Sequence, residues 1–321
     1  MTHRERAIAA LERRIPDHVP TFELEFQLAE EMFGKPLIPA ELWPDNRAKL
    51  SKAEKEKLIY AAAEYNAYVY GQLDYSIIPV SDFGRTWENG KPTDDYRLFI
   101  KALKEYTNNE VLLSCHGDGT FAIPDGNAMF DFAYRIADEP DEVKADARRM
   151  ADGAIERNKW LLDMGVEVLQ LCSDYCYNMG PFLSPKMFGE FIQPYLYDII
   201  ASARADGQYT IKHTDGNIMP ILQQMVDCHP HALHSLDPMA GVDIREVKRL
   251  VGDKVCLCGN VHCAALQTGT VEDVRASAES CLTYGKAGGG YIFCTSNVPF
   301  KGLPPERYQL ILDIWKQMRD Y

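Results

Sequence analysis

Short apolar runs alternate along this chain with longer stretches in which apolar residues recur at the three-and-four spacing of a helix. The first stretch opens with Thr2 as N-cap and Glu5 as its capping-box partner, and Ile8, Leu11 and Ile15 follow on one face. A strand is expected from Thr21 to Phe26, after the turn-rich Pro16-Asp17-His18-Val19-Pro20. A long helix over about Lys52 to Leu73 precedes a strand at Tyr75–Val80. Further strands fall at Val111–Cys115 and, beyond a charged helix from about Asp141 to Met164, at Val166–Cys172.

The second half is more regular. Strands at Tyr209–His213, His231–Leu236, Lys254–Cys258 and Gly290–Cys294 are each followed by a helix, near 218–226, 244–251, 271–284 and 305–318. Such alternation predicts a parallel sheet. Eight strands in 321 residues suit a single (β/α)8 TIM barrel spanning residues 1–321, with an N-terminal helical extension. An open doubly wound sheet has the same alternation, but no Gly-x-Gly-x-x-Gly follows the first strand. The Gly288-Gly289-Gly290 run reads as a helix stop and not as a domain boundary.

Composition narrows the function classes. A hydrophobic content of 46% is ample for a core, and a net charge of −13 argues against nucleic-acid binding, which needs clustered Lys and Arg. No run has transmembrane length and the first residues lack a signal-peptide core, so a cytoplasmic location away from membranes is expected. The nine cysteines are then expected as thiols or metal ligands. Cys115, Cys172, Cys228 and Cys281 read as small buried hydrophobes. Cys256-x-Cys258 has no companion Cys pair, and His229, His231 and His234 read as a surface loop near Pro230.

In a barrel of this kind the functional groups come from the C-terminal strand ends and the loops beyond them. Those positions hold Glu23 and Glu25, Asp82, His116 and Asp118, Asp174 and Tyr177, His213 and Asp215, Asp237, Cys258, Asn260 and His262, and Cys294 and Asn297. Side-chain alternation puts His213 and Asp215 on one face, as it does Glu23 with Glu25 and Cys256 with Cys258. A His-x-Asp pair at a strand end, joined by Cys294 from the last strand, offers zinc three ligands and an open position. The pair alone also fits a structural histidine bonded to a turn aspartate, and Gly216 fits that turn.

Several further segments carry a resemblance: Arg4-Glu5-Arg6 with Pro16–Pro20, Leu183–Phe188 running into Phe191–Tyr195, the His213–Gly216 stretch, and Gly259-Asn260-Val261 leading to Gly269-Thr270 and Val271–Val274. Together they are similar to the uroporphyrinogen decarboxylase superfamily over nearly the whole chain. The resemblance implies a (β/α)8 barrel and one of two activities. The decarboxylase branch carries an Arg-Gln-Ala-Gly-Arg stretch after the first strand, to handle the carboxylates of a tetrapyrrole. Here Glu23 and Glu25 stand in that region and would repel such a substrate. The methyltransferase branch holds zinc through His-x-Cys and a distant Cys. His213 and Cys294 match the outer two of these, and Asp215 replaces the middle cysteine.

The harder donor set that results suits activation of an oxygen atom. The resemblance therefore implies a zinc-dependent methyltransferase moving a methyl group from a small methoxylated donor to a corrinoid (cobalamin) cofactor on a partner corrinoid-binding protein. Methylcorrinoid:thiol methyl transfer and a decarboxylase-like lyase are the alternatives. On this reading His213, Asp215 and Cys294 hold zinc, with Glu23, Glu25 and Cys258 as candidates for a fourth ligand. Glu23, Glu25, His116 and Asp174 are the expected acid–base groups, and Phe83, Trp87, Tyr177, Asp237 and Asn260 the expected donor-binding residues. A homodimer is compatible with this reading.

Overall fold

The computed structural model describes residues 1–321. Seven strands form one parallel sheet, in the order Ile77–Pro79, Leu112–His116, Val168–Leu171, Tyr209–His213, Ala232–His234, Cys256–Cys258 and Tyr291–Ile292. Each strand neighbours the next in sequence, as successive right-handed β-α-β crossovers require. The two edges meet at Thr21, which bridges in parallel to both Tyr75 and Phe293. Its carbonyl accepts from the Ser76 N–H at 2.8 Å, and its hydroxyl donates to the Phe293 carbonyl at 2.8 Å. The expected first strand is therefore a single paired residue, but it completes the expected barrel. Beyond it Glu23 is tied to Thr295 and Glu25 faces open space, so no ladder extends to Phe26.

Two apolar layers hold this ring. Phe22, Leu24, Ile77, Leu112, Val168, Ile211, Ala232, Cys256, Cys258, Ile292 and Cys294 fill its interior, with Ala7, Ala10 and Leu11 of the His3–Leu11 helix packed on them. That helix begins at Thr2 with the expected reciprocal capping box to Glu5. The second layer lies between strands and helices, and includes Ile78, Leu113, Leu169, Leu233, Leu257 and Phe293. Strand neighbours thus divide between the two layers, as the two-residue side-chain period dictates.

Most helices fall where the spacing placed them. Lys52–Gln72 starts at a Ser51/Glu54 capping box, and Pro140–Met164, Ile244–Val251 and Pro305–Met318 follow expectation. The stretch near 218–226 divides into a 3-10 turn, Met219–Ile221, and a short helix, Leu222–Asp227, where Pro220 interrupts the opening turn. Two small hairpins follow barrel strands: Trp87–Glu88 with Lys91–Pro92, and Cys176–Tyr177 with Gly180–Pro181. No helix is long and apolar enough to cross a membrane.

Candidate active site

The fifth barrel strand ends at His213, and the chain then turns through Thr214, Asp215 and Gly216. Gly216 has φ +82°, and a side chain there would collide with the carbonyls of Cys176 and Tyr177. This close approach sets the turn against the loop after the fourth strand, which carries Asp174. The Asp215 N–H donates to Asp174 Oδ1 at 3.0 Å, and the Tyr175 N–H donates to the Thr214 hydroxyl at 2.8 Å.

Ligating atoms of Asp174, His213 and Asp215 consequently lie within 4.8 Å of one another. His213 Nε2 is 3.6 Å from Asp174 Oδ1 and 3.8 Å from Asp215 Oδ1. The carboxylates have their own supports. Asp215 Oδ1 accepts from the Ser235 hydroxyl at 2.7 Å, and Oδ2 accepts from the Asn297 amide. The His213 Nδ1 atom lies 2.8 Å from Nδ1 of His234.

Burial governs the charges here. It is the main cause that lowers His213 to about 3, with Lys212 and His116 pushing the same way. The imidazole is thus neutral at physiological pH, so its proximity to the acids is not an ion pair. Burial also raises Asp215 to about 6, aided by Asp174 and Asp237. A neutral imidazole nitrogen and two carboxylates at this spacing fit a divalent cation, zinc included. Ligand groups whose remaining polar atoms are already hydrogen-bonded are the usual setting of such an ion.

A buried ion pair fixes the loop that bears Asp174. Lys212 Nζ is 2.9 Å from Asp118 Oδ2 and donates to the Ser173 carbonyl at 2.9 Å, while the Ser173 N–H donates to Asp118 Oδ2 at 3.0 Å. Both backbone groups of Ser173 are therefore clamped beside Asp174. Asp118 Oδ1 also accepts from the Gly119 and Thr120 N–H groups and the Thr120 hydroxyl. Burial alone would raise its pKa, but Lys212 and these donors hold it at about 2.

The other expected site residues divide sharply. Cys294 is buried inside the barrel with Phe22, Cys256 and Cys258, and burial drives its thiol well upward. Asp174, and not Cys294, lies with His213 and Asp215 in the group of side chains that could hold a metal ion. His116 is exposed, and with Glu25 it lines a cavity of about 710 Å3. Phe83 is fully buried against Tyr96 and Phe99, with Arg47 stacked on it, so it is a core residue and not part of a donor pocket. Trp87 packs half-buried on the outer layer and does not line the cavity. Tyr177 is half exposed on its hairpin.

Asp237 is spent on local structure, accepting from the Gly216 and Met239 N–H groups. Asn260 is likewise occupied: its amide donates to the Leu236 carbonyl at 2.6 Å, and its oxygen accepts from the Cys281 thiol. His234 lies fully buried on the sixth strand, within the expected strand at His231–Leu236 and not on the surface loop its histidine neighbours suggested; of the three only His229 is exposed.

Glu23 is buried in the wall and not at the cavity. It accepts from the Thr295 hydroxyl at 2.6 Å and the Tyr308 hydroxyl at 3.2 Å, and Tyr308 in turn is 2.6 Å from Tyr75. Desolvation outweighs these donors and raises its pKa from 4.5 to about 8. An acid whose folded pKa exceeds its unfolded one stabilises the fold most at low pH. That stability declines as pH rises from 4.5 toward about 8, by up to about 1.4 kcal/mol per pH unit. Glu23→Gln is expected to flatten the urea midpoint over this window, so that the variant gains on the wild type between pH 6 and about pH 8.5. Parallel midpoint curves for the two proteins would contradict the assignment.

The family model for uroporphyrinogen decarboxylase (URO-D) matches residues 126–318. The chain belongs to the URO-D family. A uroporphyrinogen decarboxylase of Chlorobium luteolum is 24% identical over 166 residues, covering 49% of this chain and 43% of that protein. The match therefore spans less than half of that relative's length. Among solved structures, a methyltransferase from Methanosarcina mazei covers 99% of both chains with a TM-score of 0.73 at 17% identity, which shows a shared fold. In this URO-D chain the cavity beside the first barrel position is lined by Glu25, Glu30 and Asp82, with Lys301 as its one lysine or arginine. The rest of its wall is largely apolar, including Leu24, Phe26, Leu37, Ile38, Trp43 and Val80.

Proposed function

We propose that this URO-D chain is a zinc-dependent methyltransferase that takes a methyl group from a small methoxylated donor and passes it to a corrinoid carried by a partner protein. The observation that carries this reading is the Asp174–His213–Asp215 cluster beyond the fourth and fifth strands, where this barrel class keeps its chemistry. His213 Nε2 and one oxygen from each carboxylate would hold the ion. When bound, zinc supplies Lewis-acid polarisation of the ether oxygen.

The chain's own groups do the rest. Apolar walls of the cavity of about 710 Å3 would seat the donor and exclude water. His116 lines that cavity, and its ring, which burial keeps from protonating readily, would help orient the donor. Glu25 stands on the same wall as an acceptor for a donor hydroxyl. The scarcity of cationic lining residues disfavours a substrate with many carboxylates, in support of methyl transfer over tetrapyrrole decarboxylation.

Purified protein analysed for metals is expected to carry about one zinc per chain. It should also methylate cob(I)alamin from methoxylated donors faster than it methylates a thiol from methylcobalamin. Metal-free protein that retains full transfer would overturn the reading. A preference for the thiol direction would assign the chain to methylcorrinoid:thiol transfer instead.

A further inference from the structure

We propose that His234 is the positioning residue of the metal site, holding His213 in the tautomer whose bare Nε2 lone pair faces Asp174 and Asp215. The inference rests on the metal reading of this site and concerns how the chain prepares its single nitrogen ligand. Strand register creates the contact: His213 and His234 are Cα partners on adjacent parallel strands, so both rings project into the barrel side by side. Their ring centroids are 5.0 Å apart and both residues are buried.

Two Nδ1 atoms at 2.8 Å share one proton, and the two ways of placing it differ in consequence. With His213 as donor, its Nε2 is a free lone pair aimed between the two carboxylates. With His234 as donor, the His213 proton sits on Nε2, which is too far from either acid to form a good hydrogen bond and is closed to a metal. Metal-ligating histidines almost always donate their second N–H to an acceptor. His234 Nδ1 is that acceptor here.

Apart from an interaction with the Thr295 backbone, the remainder of the His234 ring meets apolar groups. Its Nε2 is buried without a hydrogen-bond partner, and its ring meets Phe22 edge-on at 5.9 Å. A fully buried imidazole with one unpartnered nitrogen is costly where an apolar side chain would pack as well. The bond to His213 is what such a residue offers in return. A neutral acceptor also suits the charge of the site. Two carboxylate ligands already balance a divalent ion, and a carboxylate in place of the buried His234 would add an uncompensated negative charge.

The test compares wild type, His234→Phe and His234→Gln by zinc affinity from chelator competition, by thermal stability, and by 15N-resolved imidazole spectra. His234→Phe is expected to bind zinc roughly 10–100-fold more weakly, and His234→Gln, whose amide oxygen can accept, to recover most of that loss. Wild-type His213 should carry its proton on Nδ1. Loss of stability in His234→Phe with unchanged zinc affinity would overturn the inference and leave a packing role. A wild-type protein that binds no zinc removes the proposed function. In that event the spectra still decide: a proton on His213 Nδ1 upholds the His234 assignment, and one on Nε2 overturns it.

Discussion

Asp174→Ala is expected to weaken zinc binding by at least about 100-fold, whereas Cys294→Ser leaves it within about threefold. His213→Ala should match the Asp174 variant. The contrast follows from where the three groups lie. Asp174 places an oxygen 3.6 Å from His213 Nε2, and its loop is held from both sides, through Ser173 and Tyr175. Cys294 is packed among apolar barrel residues and stands outside that cluster. Chelator competition on the three variants checks the assignment. If Cys294→Ser abolishes binding and Asp174→Ala does not, the ligands are His213, Asp215 and Cys294, and the loop after the fourth strand serves another purpose.

Lys212→Met should cost about 3–5 kcal/mol of stability, the usual penalty for stranding one member of a buried ion pair. Lys212 is fully buried, its ring contact to Tyr175 is 3.9 Å from ammonium to centroid, and Asp118 would lose its counter-charge. Asp118→Asn should cost a similar amount for the converse reason. The double variant Lys212→Met/Asp118→Asn should lose clearly less than the sum, because no unpaired charge remains. Urea midpoints measure all three. Additive losses would mean that the two residues act separately. Zinc affinity should fall in each single variant as well, since Ser173 loses one of its two clamps and Asp174 moves with it.

Much of this architecture was legible from the chain. The alternation of apolar runs with helical stretches gave the parallel barrel, and the capping box at Thr2 marked the first helix start at its true position. The pairing of His213 with Asp215 was also legible, because a strand end has a period of two and a fixed face. Height along the barrel was not. Ile292 and Cys294 share the inner face, as strand alternation requires, but alternation does not say how the strands' tilt staggers one inward residue against another. Cys294 therefore had the right face and the wrong neighbours for the cluster. Asp174 had the reverse history: it was expected as an acid near the chemistry, and the close approach at Gly216 sets its loop within reach of His213 and Asp215. His234 fell inside the expected strand His231–Leu236, but grouped with His229 and His231 it read as part of a surface loop, and the structure upholds the strand.

The single-residue closure at Thr21 has a mechanical consequence. A barrel joined by a full ladder all round is uniformly stiff, whereas this one has a seam, and beyond Thr21 the chain is free of sheet pairing where it forms the wall of the large cavity. The first and fifth positions of an eight-membered ring are diametrically opposed, so the seam lies across from His213. Beyond Thr21 that wall is held by side-chain bonds instead of a ladder, Glu23 to Thr295 and Gln170 to the Leu24 carbonyl, across the ring from the arc that gathers Asp174, His213 and Asp215.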